Sequence, residues 1–128
     1  MFIILDSSML MLPLEKKINL SYEIERIVQK NFELVVPLIV LEELNKILEE
    51  ENQATQLKAK FALELANQFT NIESRTNCHA DDEILRLAIE KQAIVATNDV
   101  KLRKKLRNRG ITVISIYGKN KLSLFGEI

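Results

Sequence analysis

Short apolar runs alternate along this chain with longer segments in which apolar residues recur at helical spacing. The first run, Phe2–Leu5, is unbroken and ends abruptly at Asp6. The later runs are residues 32–36, 93–97 and 111–116, with a weaker one at 71–73. Unbroken apolar runs of this length, with β-branched residues, are typical of strands buried on both faces, so we predict four core strands and one short edge strand.

Between the runs, apolar residues lie three and four positions apart, which predicts amphipathic helices. The predicted helices cover residues 19–30, 38–50, 54–69, 79–91 and 100–108. In the third of these, the apolar residues are the i, i+4 series Leu57, Phe61 and Leu65, with alanines beside them. Residues 9–14 contain Pro13 and are expected to form only one or two helical turns.

Strands that alternate with helices predict an α/β fold of three layers, in which helices cover both faces of a central, mainly parallel sheet. With 128 residues, 47% of them hydrophobic, the chain is expected to be a single domain over residues 1–128. Its last segment, residues 117–128, contains Gly118 and Gly126 and is predicted to be an irregular tail.

Charge and cysteine content narrow the functional classes. Eighteen basic and eighteen acidic residues cancel, so bulk charge does not predict a polyanion-binding protein. Cys78 is the only cysteine, which excludes an intramolecular disulfide and a cysteine-based zinc site. No basic leader precedes the first apolar run, and no run approaches the roughly 20 apolar residues of a membrane span. We therefore expect a cytoplasmic protein without a membrane partner.

Acidic residues stand beside the predicted strands and helices at four places. Asp6 and Asp99 each follow an apolar strand, and the pairs Glu42-Glu43 and Asp81-Asp82 lie in the opening turns of two helices. Because the carboxyl ends of parallel strands meet at one edge of the sheet, these carboxylates are expected to converge. The alternative is that each acid only caps or decorates its own helix N-terminus.

Helical phase separates the members of one pair. Glu43 lies beside the apolar face through Ile47 at i+4, whereas Glu42 points nearly opposite Leu44, so Glu43 is the better site candidate. The phase does not separate Asp81 from Asp82, because both flank the apolar stripe of their helix.

Carboxylates gathered in one cleft repel each other unless a cation neutralises them. Mg²⁺ and Mn²⁺ prefer such hard oxygen ligands and serve phosphoryl chemistry by activating water and shielding the phosphate. A phosphatase with Asp6 as nucleophile is a rival interpretation, but that family requires a second Asp where this chain has Ser8.

The four acidic motifs, taken together and in order, resemble those of PIN-domain nucleases over essentially the whole chain. The motifs are Asp6-Ser7-Ser8, Val36-Pro37 before Glu43-Leu44, Ala80-Asp81-Asp82, and Val95-Ala96-Thr97-Asn98-Asp99. The resemblance implies a metal-dependent endoribonuclease that uses Mg²⁺ or Mn²⁺ to cleave single-stranded or structured RNA.

The same resemblance implies roles for individual residues. Asp6, Glu43, Asp82 and Asp99 match the family's catalytic, metal-binding acids, and Asp81 is a further candidate ligand. Ser8, where the family more often has Asn, and Thr97 match the small polar positions beside them, and Asn98 is grouped with these as a supporting residue.

The role in the cell is a separate question. The Asp81-Asp82 doublet and the Thr97-Asn98-Asp99 sequence resemble the compact archaeal and ribosome-processing members more than the VapC-type toxins. We therefore expect a role in rRNA processing or RNA turnover, with a ribosome-assembly partner. Two alternative roles remain open: a toxin with an antitoxin partner, and a non-catalytic RNA-binding assembly factor. A homodimer is a further possibility for the oligomeric state.

A cluster of cations follows Asp99. The cluster contains Lys101, Arg103, Lys104, Lys105, Arg107 and Arg109. With Leu102 and Leu106 facing the core, these six cations are expected to face outward and to bind the RNA backbone. The alternative is a solvated helix face with cations near its C-terminus.

Overall fold

The computed structural model describes residues 1–50 and 52–128 of the chain. The strands are β1 (Phe2–Leu5), β2 (Glu33–Pro37), β3 (Thr70–Ile72), β4 (Ile94–Ala96), β5 (Val113–Tyr117) and β6 (Lys121–Phe125). The helices are α1 (Ser7–Lys16), α2 (Leu20–Val28), α3 (Leu38–Glu50), α4 (Gln53–Ala66), α5 (Ala80–Lys91) and α6 (Val100–Asn108). All five strands predicted from the apolar runs are present.

The strands form one six-stranded sheet in the order β3-β2-β1-β4-β5-β6. β1 lies in the middle and pairs in parallel with β2 and with β4, so that Leu5 is opposite Ala96. Only β6 is antiparallel, and it pairs with β5. Ile3, Ile4 and Leu5 are fully buried, as their unbroken apolar run predicts.

Helices cover both faces of the sheet. On one side α4 packs against α1 and α3, while on the other α5 and α6 contact each other and lie against β1, β4 and β5. The predicted α/β fold with three layers and a mainly parallel sheet is therefore confirmed. Within residues 1–50 and 52–128, no helix is both long enough and apolar enough to cross a membrane.

The first helix differs from its prediction. α1 is ten residues long and contains Pro13, where only one or two turns were expected. A proline inside a helix costs about 3 kcal/mol, because it removes a hydrogen bond and crowds the preceding turn. Burial of Met9, Leu10 and Leu12, at about 1.5–3 kcal/mol each, outweighs that cost.

On α4 the alanines are buried more completely than the i, i+4 series beside them. The buried residues are Ala59, Ala62 and Ala66, whereas Leu57 is exposed. Small side chains let α4 approach α1 and α3 closely, and this close packing decides which face of the helix is buried.

The predicted irregular tail is wrong for Lys121–Phe125, which forms β6. Gly118 has a φ of 71° and turns the chain back, so that β6 pairs along the whole of β5. The outer side of β6 is bound by α2: Glu23 accepts a hydrogen bond from the Leu122 N–H at 3.0 Å, and Arg26 donates to the Leu122 carbonyl at 3.0 Å. We call this pair of contacts the edge clamp.

Candidate active site

The turns that carry two of the predicted site acids are neighbours because their strands pair in the sheet. Asp6 follows β1 and Asp99 follows β4 by three residues, and the Asp6 N–H donates to the Ala96 carbonyl at 3.2 Å. Both carboxylates also cap helices: Asp6 accepts from the Met9 N–H, and Asp99 accepts from Lys101 N–H and Leu102 N–H. Capping and convergence at the sheet edge, posed above as alternatives, therefore occur together.

The Asp6 carboxylate is buried within a network of donors. It accepts from the Met9 N–H at 2.9 Å, from the Ser8 hydroxyl at 2.8 Å and from the Thr97 hydroxyl. Burial raises the pKa of Asp6 to about 7, although these hydrogen bonds oppose the shift. The charge of Glu43 adds to the rise, which shows that the two acids interact.

The supporting residues of the prediction connect Asp6 with the turn that carries Asp99. The Ser8 hydroxyl accepts from the Asn98 N–H at 2.9 Å, and the Thr97 hydroxyl accepts from the Asp99 N–H at 3.0 Å. Asn98 takes part through its backbone, and the structure gives its side chain no contact in this network. Ser8 and Thr97 therefore hold Asp99 in place through the backbone of its turn.

A cleft of about 380 Å³ opens next to this network. It is lined by Ile39, Glu42, Glu43, Lys46, Cys78, His79, Ala80, Asp81 and Asp99. The cleft brings together four of the acids considered above, Glu42, Glu43, Asp81 and Asp99, while Asp6 does not line it.

Both members of the acidic pair on α3 reach the cleft. Glu43 accepts a hydrogen bond from the Ser7 hydroxyl, which orients it. Glu42, expected to point away, instead lines the cleft and accepts from the Asn77 N–H at 3.0 Å. The segment before α5 folds over that side of α3, and helical phase within α3 alone gives no sign of it.

On α5 the structure places Asp81, and not Asp82, at the cleft. Asp82 is 66% exposed and forms an ion pair with Lys105, which lowers its pKa. The buried residues of α5 include Ile84 and Ala88, at i+3 and i+7 from Asp81, so Asp81 lies above the buried stripe. The predicted stripe also contained Leu85 and Ile89 and was therefore wide enough to be flanked by both acids. Leu85 is only half-buried and Ile89 is exposed, so the buried stripe is narrower and lies on the side of Asp81.

The charges of the cleft interact. Partial burial raises the pKa of Asp81, and the nearby carboxylate of Asp99 raises it further. Such repulsion is relieved by a cation. Within the described ranges, 1–50 and 52–128, no three His, Cys, Asp or Glu side chains are close enough to form a three-ligand metal site. Mg²⁺, however, usually keeps several waters and uses only one or two carboxylates, so this donor set fits a hydrated hard cation.

The predicted basic cluster is divided by its contacts. Arg103 lies over the Phe125 ring at 4.8 Å, Arg107 donates to the Ile111 carbonyl at 3.0 Å, and Lys105 pairs with Asp82. Lys101 and Lys104 are exposed, and no ion pair of theirs occurs in the described part of the chain. Arg109 is exposed next to a different cavity, together with Met1 and Ile128, at the opposite end of the sheet.

Two residues of the site escaped the sequence analysis. The Ser7 hydroxyl donates to Glu43, a contact that the position of Ser7 directly after Asp6 does not predict. Lys46 lies one turn after Glu42, with its ammonium 3.9 Å from the Glu42 carboxylate, and it is the one lysine that lines the cleft in the described residues. The i, i+4 spacing of Glu42 and Lys46 is the signal that was available.

Known proteins of similar sequence and structure identify the family of this chain. The sequence model of the PIN-like domain matches residues 3–119. Ribonuclease VapC4 of Methanocaldococcus jannaschii is 33% identical over 129 residues, which cover 98% of this chain and 98% of that protein. The structure of the PIN domain endonuclease Utp24 is 22% identical, has a TM-score of 0.79, and matches over 99% of this chain and 92% of that one. Utp24 supports the fold alone, and the family match and VapC4 together show that this chain belongs to the PIN-like domain family.

Proposed function

We propose that this protein is an endoribonuclease that hydrolyses RNA phosphodiester bonds with Mg²⁺ or Mn²⁺. The observation that carries the proposal is the cleft that brings the carboxylates of Glu43, Asp81 and Asp99 together. The name of the relative VapC4 supports the choice of RNA as substrate.

Asp81 and Asp99, whose charges interact, are the residues that would hold the ion, and Glu43 adds a third negative charge to the lining of the same cleft. When bound, the ion supplies an activated water and neutralises negative charge on the phosphate. Ser7 orients Glu43, while Ser8 and Thr97 fix the turn that carries Asp99. These contacts hold the acids in position before substrate arrives, and such preorganisation lowers the entropic cost of reaching the geometry for phosphoryl transfer.

Lys46 has a separate part in this proposal. Its side chain is largely exposed at a cleft that also contains four carboxylates, so it offers a positive charge to an approaching phosphate. Without such cations, an acidic cleft repels a polyanion.

The biological role has two candidates. A part in rRNA processing or RNA turnover, with a ribosome-assembly partner, follows from the motif forms. A toxin role with an antitoxin partner is favoured by the 33% identity to the protein named Ribonuclease VapC4 over 98% of both chains. Induced expression in a bacterial host distinguishes them: growth arrest that depends on Asp99 supports the toxin.

The test of the activity uses wild type and Asp99→Asn on end-labelled single-stranded RNA with Mg²⁺, Mn²⁺ or EDTA. Asn caps a helix about as well as Asp, so the variant removes charge while keeping the start of α6. We expect cleavage by wild type with either metal, and none with EDTA or with the variant. Cleavage that persists in EDTA would contradict metal dependence, and a folded wild type that cuts no RNA would favour the non-catalytic RNA-binding alternative.

A further inference from the structure

The turn between β5 and β6 is a compact group of polar and aromatic residues. We call residues 117–121 the hairpin tip; in sequence they are Tyr117, Gly118, Lys119, Asn120 and Lys121. Tyr117 ends β5 and lies directly opposite Lys121, the first residue of β6. The hairpin tip contains two lysines and no acid.

The register places the hairpin tip at the same end of the sheet as the cleft. Ile114 pairs with Ala96, and its carbonyl accepts from the Thr97 N–H at 2.9 Å. β5 then continues for three residues to Tyr117, about 10 Å further along the strand direction. Asp99 follows Ala96 on that same side, so Tyr117 rises beside the turn that carries Asp99.

Strand alternation determines which face Tyr117 occupies. Side chains two apart lie on one face of a strand, and directly opposed residues share a face, so Tyr117, Lys121 and Phe125 point to the same side. Phe125 contacts Arg103 of α6, which identifies this face as the one that α6 covers. Tyr117 and Lys121 therefore project on the side of the helix that begins directly after Asp99.

These side chains are open to solvent. Tyr117 is 69% exposed, and Lys101, Lys119 and Lys121 are exposed as well. Among the residues that the structure describes, none of these four side chains forms a hydrogen bond, ion pair or ring contact. The charge of Lys121 does act on Glu23, whose pKa is lowered mainly by Arg26 and to a smaller extent by Lys121. Proteins bind single-stranded nucleic acids by combining an exposed aromatic ring, on which a base stacks, with exposed cations that contact phosphates.

We propose that the hairpin tip, together with Lys101, binds a single strand of RNA beside the cleft, with Tyr117 stacking on a base and Lys101, Lys119 and Lys121 contacting phosphates. The proposal deepens the proposed function and rests on it for the identity of the strand as RNA. It assigns to β6, the strand that the sequence did not predict, a part in holding the substrate.

Binding is measured by fluorescence anisotropy with a short fluorescein-labelled oligouridylate in EDTA, where no metal-dependent cleavage can occur. We expect Tyr117→Ala to weaken binding about 5-fold or more, because the loss of one stacked base costs about 1–3 kcal/mol. Tyr117→Phe keeps the ring and is expected to bind like wild type. The matched control is Tyr22→Ala on α2, which removes the chain's other tyrosine, itself 60% exposed, and is expected to leave affinity unchanged.

The cations are tested through salt dependence. Lys119→Ala with Lys121→Ala is expected to flatten the slope of log affinity against log salt by about 1.4, since each phosphate contact on a single strand contributes about 0.7. Lys60→Ala on α4, also exposed, is the charge control and is expected to leave the slope unchanged.

A second measurement keeps the proposal testable if Tyr117→Ala folds poorly. Oligouridylates with one abasic site at successive positions are titrated against wild type, and one position is expected to lose affinity as Tyr117→Ala does. Combined with Tyr117→Ala, that abasic site should cause little further loss. Equal affinity of Tyr117→Ala and wild type, or equal affinity of all abasic strands, would overturn the proposal.

The outcomes also separate this proposal from the proposed function. If the variants bind RNA more weakly as expected but the wild type cuts no RNA, the nuclease activity is overturned and the hairpin tip remains an RNA-binding surface. Wild type that cleaves RNA, with variants that bind as wild type does, would leave the nuclease activity and overturn the role of the hairpin tip.

Discussion

The buried carboxylate of Asp6 accepts hydrogen bonds from three donors, one backbone N–H and two hydroxyls. Its pKa is about 7, so burial raises the pKa by more than the hydrogen bonds lower it. Because the folded-state pKa lies above the unfolded value, Asp6 contributes stability at low pH, and that contribution is lost as pH rises through about 7. In metal-free protein the acid is thus held near its own titration point.

We predict that Asp6→Asn removes this pH dependence and lowers RNA cleavage. The Asp6 carboxylate accepts from Ser8 and Thr97, and these two hydroxyls hold the turn that carries Asp99. Between about pH 5 and about pH 8, metal-free wild type should lose about 3 kcal/mol of unfolding free energy that the variant retains. The Asn side chain still accepts from the Met9 N–H, so α1 remains capped. Urea denaturation of both proteins in EDTA at the two pH values measures the difference, and parallel pH profiles would contradict the prediction.

A second prediction at this scale concerns the neighbours Asp81 and Asp82. Asp81→Asn should weaken Mn²⁺ binding at least about 10-fold, because it removes a carboxylate from the cleft and only one or two carboxylates hold such an ion. Asp82→Asn should leave Mn²⁺ affinity nearly unchanged, since its carboxylate is exposed and paired with Lys105. Calorimetric titration of the two variants is the measurement. Equal losses would return Asp82 to the site.

At the scale of elements, α6 is both a structural helix and a source of cations. Asp99 caps its first turn, and Leu102 and Leu106 are buried. Arg103 contacts the ring of Phe125 near the end of the chain. Arg107 also lies so close to Gly126 that a side chain there would collide with its guanidinium. The cations of α6 therefore divide into those that hold the fold together and those that remain available for RNA.

We predict that this division is measurable by single substitutions. Arg107→Ala should lower the unfolding free energy by about 1–3 kcal/mol through the loss of a charged hydrogen bond, and Arg103→Ala by about 0.5–1 kcal/mol through the loss of the contact with Phe125. Lys104→Ala should leave stability unchanged and flatten the salt slope of RNA binding by about 0.7 if Lys104 contacts a phosphate. Denaturation and anisotropy titrations report these effects, and three variants of equal stability would contradict the division.

The elements also show what the sequence could and could not predict. Strands with unbroken apolar runs, and acids directly after them, follow from local pattern, and they led correctly to Asp6 and Asp99 at one sheet edge. The sequence could not decide whether Asp81 or Asp82 lines the cleft, because that depends on how α5 is rotated against the sheet. β6 was missed because the contacts that hold it come from β5 and from Glu23 and Arg26 on α2, which lie far away in sequence.

At the scale of the whole molecule, residues 73–79 connect the two helical layers. Ser74 accepts from the Ile39 N–H on α3 at 2.9 Å, Glu42 on α3 accepts from the Asn77 N–H, and Glu83 on α5 accepts from the Arg75 N–H at 2.7 Å. The segment thereby ties the helix that carries Glu43 to the helix that carries Asp81. The width of the cleft depends on these ties.

We predict that Glu83→Gln affects metal binding although Glu83 does not line the cleft. Its side chain is 2% exposed and bonded to Arg86, so the change should cost about 1–3 kcal/mol of stability and lower Mn²⁺ affinity through movement of Asp81. Arg86 lowers the pKa of Glu83, so this stabilisation is present above the unfolded pKa and is lost as pH falls.

The control for this prediction is Glu90→Gln, because Glu90 also bonds to Arg86 but is 57% exposed. An exposed pair contributes about 0–1 kcal/mol, and Mn²⁺ affinity should not change. Denaturation and calorimetric titration of both variants are compared. If Glu90→Gln lowered Mn²⁺ affinity as much as Glu83→Gln does, the affinity would depend on the charge of Arg86 and not on the hydrogen bond from Arg75 to Glu83.

The edge clamp has a consequence for how this protein meets copies of itself. A free sheet edge offers its backbone N–H and C=O groups to any incoming strand, which is how fibrils and swapped oligomers grow. At Leu122 both groups are already bound, by Glu23 and Arg26. A strand added along β6 would have to break those bonds before forming its own, so two side chains of a helix protect this border of the sheet against templated aggregation.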